Sequence, residues 1–356
     1  MAPDIDALEA AARERMDVGA YGFFATGSGN EHTLADNLAA WRRLALRPHA
    51  LRDVSVVSTA TTVLGTPVAF PLLAAPVALL RLAHPDGERG VAAAVAAEGT
   101  LRVVSSRTST PIAEVEAAAP GAPWWFQVYV MRDRGLTTEL VSRAVASGAR
   151  ALVLTGDTPR IGHKRRPGMD FDVPGGVNMP DLSNGEDQRF DPRFDQDASV
   201  TAADIDWLAQ ISGLPVVVKG VLRGDDAREC LAAGAAAVIV SNHGGRQLDG
   251  AVATAVALPE IVDAVAGEAE VYVDSGVRSG SDVLRALALG ARAVLIGRPL
   301  AWALATGGEE GARELLAELK ADVEDALALA GVCSPADVTP DLLAGRSGPP
   351  ATLPRL

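Results

Sequence analysis

The feature that most constrains the fold is a short apolar run that recurs eight times, each time followed by an Ala- and Leu-rich segment. Runs of this length rich in Val, Ile and Leu are typical of strands buried on both faces, as in parallel sheets. The runs are Val68–Ala75, Leu101–Ser105, Trp125–Val130, Ala151–Thr155, Pro215–Lys219, Ala237–Ser241, Glu270–Asp274 and Ala293–Gly297. The segments between them predict helices, several of which end at a glycine.

This alternation predicts a (β/α)8 barrel, because eight strands with their helices span roughly the 250 residues usual for that fold. A doubly wound sheet is the alternative, but no GxGxxG motif opens the first unit. We expect a single domain over residues 1–356, with residues 1–60 forming an N-terminal helical cap. The connection over residues 156–200 is long and rich in Pro, Gly, Asp and Asn, which predicts a lid or a mobile loop.

Composition excludes several classes of protein. The formal net charge of −13 argues against nucleic acid or an anionic membrane surface as a partner. Cys230 and Cys333 lack metal-type spacing, so we expect a reducing compartment and neither a disulfide framework nor a metal site. No run approaches the about 18 apolar residues of a membrane-spanning helix. The sequence therefore predicts a cytoplasmic protein without a membrane partner.

Chemically active side chains follow the predicted strands at the ends where such a barrel carries its active site. They are Gln127 and Tyr129 on the third strand, Thr155 and Asp157 at the fourth, Lys219 at the fifth, Ser241, His243 and Arg246 at the sixth, Asp274 to Arg278 at the seventh, and Gly297 and Arg298 at the eighth. Small residues and arginines at the last two strand ends fit a phosphate site.

Each of these side chains also has a purely structural interpretation. Lys219 suits an ion pair as well as a cofactor contact, and Tyr129 suits a core position. Asp157 is consistent with capping a turn, while Arg278 and Arg298 are consistent with solvated charges at helix ends. Their convergence on one face of one barrel favours a shared functional role.

One motif is far more specific, the segment SNHGGRQLDG at residues 241–250. It is accompanied by AAPVA at 74–78, FQVYV at 126–130, DTPRIG at 157–162, VVVKGV at 216–221, DSGVR at 274–278 and IGRP at 296–299. With these motifs the chain resembles the FMN-dependent 2-hydroxy acid oxidase and dehydrogenase family, which includes glycolate oxidase, lactate oxidase and mandelate dehydrogenase. In general appearance it is nearest to the 4-hydroxymandelate oxidase branch.

The resemblance implies that FMN oxidises an (S)-2-hydroxy acid to the 2-oxo acid and is reoxidised by oxygen or another electron acceptor. His243 would take a proton from the substrate while a hydride equivalent passes to flavin N5, and Asp157 would stabilise the imidazolium. Arg246 would clamp the substrate carboxylate and Tyr129 would hydrogen-bond the substrate. Lys219 would stabilise negative charge on the reduced flavin.

The resemblance also implies the cofactor site and the assembly. The isoalloxazine ring would contact Ala75, Pro76, Val77, Ser105, Gln127, Thr155 and Ser241. The ribityl chain and phosphate would contact Asp274, Ser275, Gly276, Val277, Arg278, Gly297 and Arg298. Gly244 and Gly245 would allow a tight turn under the flavin. Members of this family usually form homo-oligomers, either tetramers or octamers, and we expect the same here.

Four positions depart from the family pattern. Phe23 replaces a tyrosine that binds substrate, Lys164 replaces an arginine, Arg107 replaces a tryptophan, and Ser275 replaces a glycine. We therefore expect a rearranged substrate pocket, in which Arg107 provides the second anion contact or a larger or differently charged acid binds. The alternative is that Arg107 points to solvent and pairs with an acidic side chain.

The substrate is predicted less sharply than the reaction. Phe23, Trp124, Trp125 and Met169 predict an apolar wall, which favours a bulky or aromatic acid such as mandelate. A lactate- or glycolate-type oxidase, an FMN barrel acting on a non-carboxylate or amine substrate, and a vestigial phosphosugar-handling barrel are the alternatives. Ala78 matches a small residue near the flavin in oxidases and favours oxygen as the acceptor.

Overall fold

A computed structural model describes residues 3–165, 179–183 and 191–345, so Met169 and much of the predicted lid lie outside the described residues. Within these ranges the chain has ten strands: β1 (Thr61–Val63), β2 (Thr66–Val68), β3 (Leu72–Ala74), β4 (Arg102–Ser105), β5 (Trp124–Val128), β6 (Leu152–Thr155), β7 (Val216–Val221), β8 (Ala237–Val240), β9 (Glu270–Val273) and β10 (Ala293–Ile296).

The helices of the same ranges surround these strands. They are α1 (Ile5–Arg15), α2 (Val18–Ala25), α3 (His32–Arg43), α4 (Gly87–Ala97), α5 (Ile112–Ala117), α6 (Arg134–Ala146), α7 (Pro180–Ser183), α8 (Ala203–Ser212), α9 (Gly224–Ala232), α10 (Thr254–Val265), α11 (Gly280–Ala288) and α12 (Arg298–Ala330). α12 is interrupted at Gly308, which has non-helical dihedrals. Short 3-10 helices lie at Leu80–Leu82, Pro192–Phe194, Pro335–Asp337 and Pro340–Leu342.

Strands β3 to β10 form a closed barrel in the order β10-β3-β4-β5-β6-β7-β8-β9, with every neighbouring pair parallel. The predicted (β/α)8 fold is confirmed. Alternate side chains such as Val103, Val153 and Val217 fill the interior, while their neighbours pack against the helices. The interior is a packed core rather than a channel, so ligands are restricted to the rims of the barrel.

The first predicted strand began too early. Val68 belongs to the antiparallel hairpin of β1 and β2, and it pairs with Thr61. Leu64 and Gly65 form the turn with φ of 44° and 71°, the positive values that a tight two-residue hairpin requires. Val68 packs in the inner cluster that contains Tyr272, so the hairpin covers the amino-terminal end of the barrel.

Residues before the hairpin contribute three helices, α1 to α3. α1 packs on α12, and α3 packs on α10 and α11. The N-terminal segment is therefore attached to the side of the barrel formed by its last strands. No helix in the described part of the chain has the length and apolar character needed to cross a membrane.

A buried carboxylate joins the loops that follow β3 and β4. Glu88 is 5% exposed and accepts hydrogen bonds from the backbone of Leu80 and Ser109 and from the hydroxyls of Ser109 and Thr110. Because hydrogen bonds to a charged group are stronger than neutral ones, this side chain holds both loops in place.

Glu88→Ala is therefore expected to lower the free energy of unfolding by about 3 kcal/mol, because several buried donors lose their acceptor. Denaturant or thermal unfolding of the variant measures the loss. The control is Glu114→Ala, which removes only an exposed ion pair with Arg89 at 3.8 Å and should change stability by less than about 0.5 kcal/mol. Equal effects of the two substitutions would contradict this role of Glu88.

Candidate active site

A cavity of about 680 Å³ lies at the carboxyl-terminal rim of the barrel, lined by residues that follow all eight barrel strands and by α2. This volume suits a cofactor together with a small substrate. The predicted site residues line it except Gln127, Asp157 and Ser241. Those three lie directly behind the lining, because each hydrogen-bonds to a residue that faces the cavity.

His243 lies at the centre of the rim with Asp157 behind it. Its Nδ1 is 3.1 Å from Asp157 Oδ1, and its Nε2 is 3.4 Å from the hydroxyl of Tyr129. Burial lowers the pKa of the imidazole below its ordinary value, although Asp157 opposes this shift. Burial opposes ionisation of Asp157, but His243 and Lys219 nevertheless lower the pKa of that carboxyl. The resting state is thus a neutral imidazole beside a carboxylate.

The turn that carries His243 has an unusual backbone. His243, Gly244 and Gly245 have φ of 59°, 66° and 74°, and the His243 N–H donates to Ser241 Oγ. A Cβ on Gly245 would lie 2.6 Å from the backbone nitrogen of Leu34 in α3. The glycine is therefore required where the turn meets α3, whereas a non-glycine at positive φ, as at His243, is often found at functional sites.

A reciprocal amide pair attaches this turn to α3. The Nδ2 of Asn37 donates to Asn242 Oδ1 at 2.9 Å, and the Nδ2 of Asn242 donates to Asn37 Oδ1 at 2.7 Å. Both residues are buried, at 2% and 4% exposed. Sequence reasoning missed Asn37; its only signal is a polar residue on the buried face of an amphipathic helix.

Two basic side chains, Arg246 and Lys164, lie against the ring of Phe23. The guanidinium of Arg246 lies 5.3 Å and the ammonium of Lys164 lies 5.1 Å from the ring centre, and both donate to the Phe23 carbonyl. Burial, with help from Arg246 and Arg298, lowers the pKa of Lys164 to about 7. The two side chains form a pair that suits an anionic group and whose total positive charge changes near neutral pH.

A third cation, Lys219, lies in the wall of the cavity. Lys219 is 4% exposed, donates to Ser241 Oγ at 2.8 Å and pairs with Asp274 Oδ2 at 3.2 Å. Burial favours the neutral amine, but Asp274 and Asp157 raise the pKa of Lys219 above its ordinary value. Lys219 is therefore both an ion-pair partner and a permanent positive charge at the cavity wall.

Three buried polar side chains on neighbouring strands form a hydrogen-bonded row. Ser105 donates to Gln127 Oε1, and the Nε2 of Gln127 donates to Thr155 Oγ1, both at 2.9 Å. They lie on β4, β5 and β6, whose register places Ser105 beside Gln127. Such a row presents donors and acceptors to a planar heteroatom-rich ring.

The last two barrel strands end in a cationic turn. Arg298 begins α12, and Ser275 and Gly276 have φ of 71° and 89°. Burial lowers the pKa of Arg278 and Arg298, and no carboxylate of a described residue forms an ion pair with either. Crowded guanidinium groups beside a helix N-terminus fit a phosphate group.

Arg107 lines the cavity instead of pointing to solvent, so the solvent-facing alternative is wrong. Its Nη2 donates to the Phe194 carbonyl at 2.6 Å, and Phe194 itself lines the cavity. Of the predicted apolar wall, Phe23 lines the cavity, whereas Trp124 and Trp125 do not. Trp125 packs against Tyr272 inside the barrel, and Trp124 makes an edge-to-face contact with Phe126.

The fold and this site define a flavin-dependent oxidoreductase barrel. The chain belongs to the FMN-dependent dehydrogenase family, whose model matches residues 12–345. It is 43% identical to an L-lactate oxidase of Nostoc sp. over 94% of this chain and 96% of that one. It is 41% identical to 2-hydroxyacid oxidase 1 of Homo sapiens over 92% of each chain.

Solved structures agree with this assignment. A mandelate oxidase variant with (S)-mandelic acid superposes with a TM-score of 0.87 at 40% identity, covering 97% of this chain and 98% of that chain. Another variant of mandelate oxidase, with a C4a-OH-FMN adduct, superposes with a TM-score of 0.87 at 40% identity over 95% and 98% of the chains. The protein is an FMN-dependent oxidoreductase acting on the CH–OH group of 2-hydroxy acids.

The residues present fit FMN. The cationic turn of Arg278 and Arg298 suits its phosphate, and the row of Ser105, Gln127 and Thr155 suits the edge of its ring. Lys219 suits the electron-rich part of the ring, where negative charge develops on reduction.

Asn37→Leu is expected to lower kcat by about tenfold, because an unpaired Asn242 releases the His243 turn and small displacements of reacting groups are costly. Steady-state kinetics with the FMN-loaded enzyme measure the change. Asp36→Ala on the exposed side of the same helix, which removes only the pair with Arg43, should leave kcat within about twofold. An unchanged kcat in Asn37→Leu would contradict the role of the amide pair.

Proposed function

We propose that the enzyme oxidises an (S)-2-hydroxy acid to the 2-oxo acid with His243 as the general base. The observation that carries this proposal is the position of the His243 ring, whose Nδ1 lies 3.1 Å from Asp157 Oδ1 and whose Nε2 lies 3.4 Å from the Tyr129 hydroxyl in the cavity lining. Burial lowers the pKa of the ring and so favours its neutral form. Nε2 takes the hydroxyl proton of the substrate, and the Tyr129 hydroxyl orients the substrate oxygen. FMN, when bound, accepts the hydride equivalent that leaves the substrate carbon.

Asp157 supports the charge that appears on His243. Its carboxylate accepts from Nδ1, which directs the lone pair of Nε2 towards the substrate and stabilises the imidazolium after proton transfer. The second oxygen, Oδ2, is buried and has no hydrogen-bond partner among the described residues, so the carboxylate is held chiefly for this task.

The carboxylate of the substrate binds at the cation pair. Arg246 and Lys164 lie against Phe23, whose ring replaces the hydroxyl that other members of the family offer. Phenylalanine cannot form the hydrogen bond that a tyrosine hydroxyl would form here, but its ring stabilises both cations by cation–π contact. Lys219 keeps its charge throughout and stabilises the reduced cofactor.

The substrate is larger than glycolate in this proposal. Phe23, Leu79, Ile161 and Phe194 line the cavity with apolar surface, although Trp124 and Trp125 do not contribute. The mandelate oxidase structures support an aromatic or similarly bulky acid. Oxygen is the proposed acceptor, supported by Ala78 at the cavity and by oxidases among the relatives.

Anaerobic mixing of the FMN-loaded enzyme with (S)-mandelate, (S)-lactate and glycolate tests the reaction. We expect (S)-mandelate to bleach the visible flavin band fastest, and readmitted oxygen to restore it with formation of hydrogen peroxide. His243→Gln should bind FMN but bleach at least about a hundredfold more slowly, because the base is absent. A flavin that stays oxidised with all three acids would refute the proposed substrate class.

The pH dependence of kcat/KM should be bell-shaped. His243 must be neutral, so activity rises with pH through its lowered pKa, with a midpoint below about 6.5. Lys164 is cationic below its pKa of about 7 and loses its charge above it, so activity falls as pH rises past that value. Lys164→Arg should move only the alkaline limb upward, and an unmoved limb would show that Lys164 does not bind the substrate.

A further inference from the structure

We propose that the substrate carries a second carboxylate at the far end of its side chain and that Arg107 binds it. This inference rests on the proposed function and names its substrate class: a 2-hydroxy acid with a distal acidic group. Two anions already have cations assigned to them in this cavity. The cofactor phosphate is assigned to Arg278 and Arg298, and the substrate carboxylate to Arg246 and Lys164. Arg107 is a further cation with no assigned anion.

The guanidinium of Arg107 is held ready for a ligand. Its backbone N–H donates to Ser105 Oγ at 3.1 Å, its carbonyl accepts from Leu79, and Nη2 donates to the Phe194 carbonyl. No described residue accepts a hydrogen bond from Nε or Nη1, and neither atom is sealed from solvent. A planar donor edge thus remains free in a site where the side chain is already ordered.

The charge of Arg107 is poorly compensated. Burial lowers the pKa of the guanidinium, and only Tyr129 and Asp195 oppose that effect. No carboxylate of a described residue forms an ion pair with it, and the nearby Asp195 pairs with Arg132 at 3.7 Å. Since a partly buried charge without an ion-pair partner is costly, a bound carboxylate that pairs with Arg107 gains more than it would in bulk water.

The barrel places Arg107 away from the first carboxylate site. Arg107 follows β4 and Arg246 follows β8, which are four places apart in a closed ring of eight strands and hence face each other across the mouth. The Tyr129 hydroxyl also lines the cavity, and both guanidinium groups are near enough to it to lower its pKa against the larger effect of burial. An acid held at Arg246, with its hydroxyl at Tyr129 and His243, extends its side chain towards Arg107.

Two matched pairs of acids test this assignment on the FMN-loaded enzyme. (S)-2-Hydroxyglutarate is compared with (S)-2-hydroxypentanoate, and (S)-4-carboxymandelate is compared with (S)-4-methylmandelate. Within each pair the carbon skeleton is alike and only the distal carboxylate differs. We expect kcat/KM for the charged acid to be at least about tenfold higher in one pair, as for a charge-assisted bidentate contact.

Arg107→Met should remove this preference, and Arg132→Met is the control. Arg132 is an exposed cation at the same rim, so its loss tests general attraction of anions. The ratio of the two kcat/KM values should fall to about one in Arg107→Met and stay within about twofold in Arg132→Met. A preference for the uncharged acid in both pairs, or a ratio that survives Arg107→Met, would overturn the inference.

Different outcomes would refute the proposed reaction and the proposed distal carboxylate site. Oxidation of the uncharged acids with no preference for the charged ones upholds the proposed reaction and refutes the distal site. An anchoring role of Arg107 through Phe194 alone would lower kcat/KM for both members of a pair equally, which also refutes it. If no acid reduces the flavin, the reaction itself is refuted.

Discussion

The position of the turn from Asn242 to Arg246 is the constraint on which the rest of the site depends. β8 delivers the turn to the rim, and α3 holds it through the Asn37 amide pair and the close contact of Gly245 with Leu34. Arg246 then donates to the carbonyls of α2. The N-terminal helices thus contribute to the cavity rim, because they set the positions of both His243 and Arg246.

The electrostatics of the cavity oppose those of the whole protein. The chain has a formal net charge of −13, yet the cavity is lined by Arg107, Lys164, Arg246, Arg278 and Arg298. The carboxylates in or directly behind the lining are each paired with a basic side chain: Asp157 with His243, Asp274 with Lys219, Asp195 with Arg132 and Asp191 with Arg193. Anionic ligands are therefore favoured inside this cavity although the protein as a whole repels them. The cations lie in separate clusters, one pair at the ring of Phe23 and another at the ends of the last two barrel strands.

Residue periodicity indicated which face a strand residue occupies but not its height in the barrel. Trp125 lies near the start of β5 and Tyr129 directly follows its end, so the two are four residues, or roughly 13 Å, apart along the strand direction. Tyr129 therefore reaches the cavity, whereas Trp125 packs at the opposite end with Tyr272. The hairpin of β1 and β2 was missed for a related reason: its short apolar residues merged with the next strand in the sequence.

The sequence by itself determined the barrel, its cofactor and the types of residue at the strand ends, because buried parallel strands and the turn around His243 leave strong local patterns. Tertiary structure decided which of those residues lie next to one another. Arg107 and Lys164 look alike in the sequence, but closure of the barrel separates Arg107 from Arg246 while the contact with Phe23 unites Lys164 with it. Asn37 became visible only in the fold, because its partner lies 205 residues away and long-range contacts leave no local pattern.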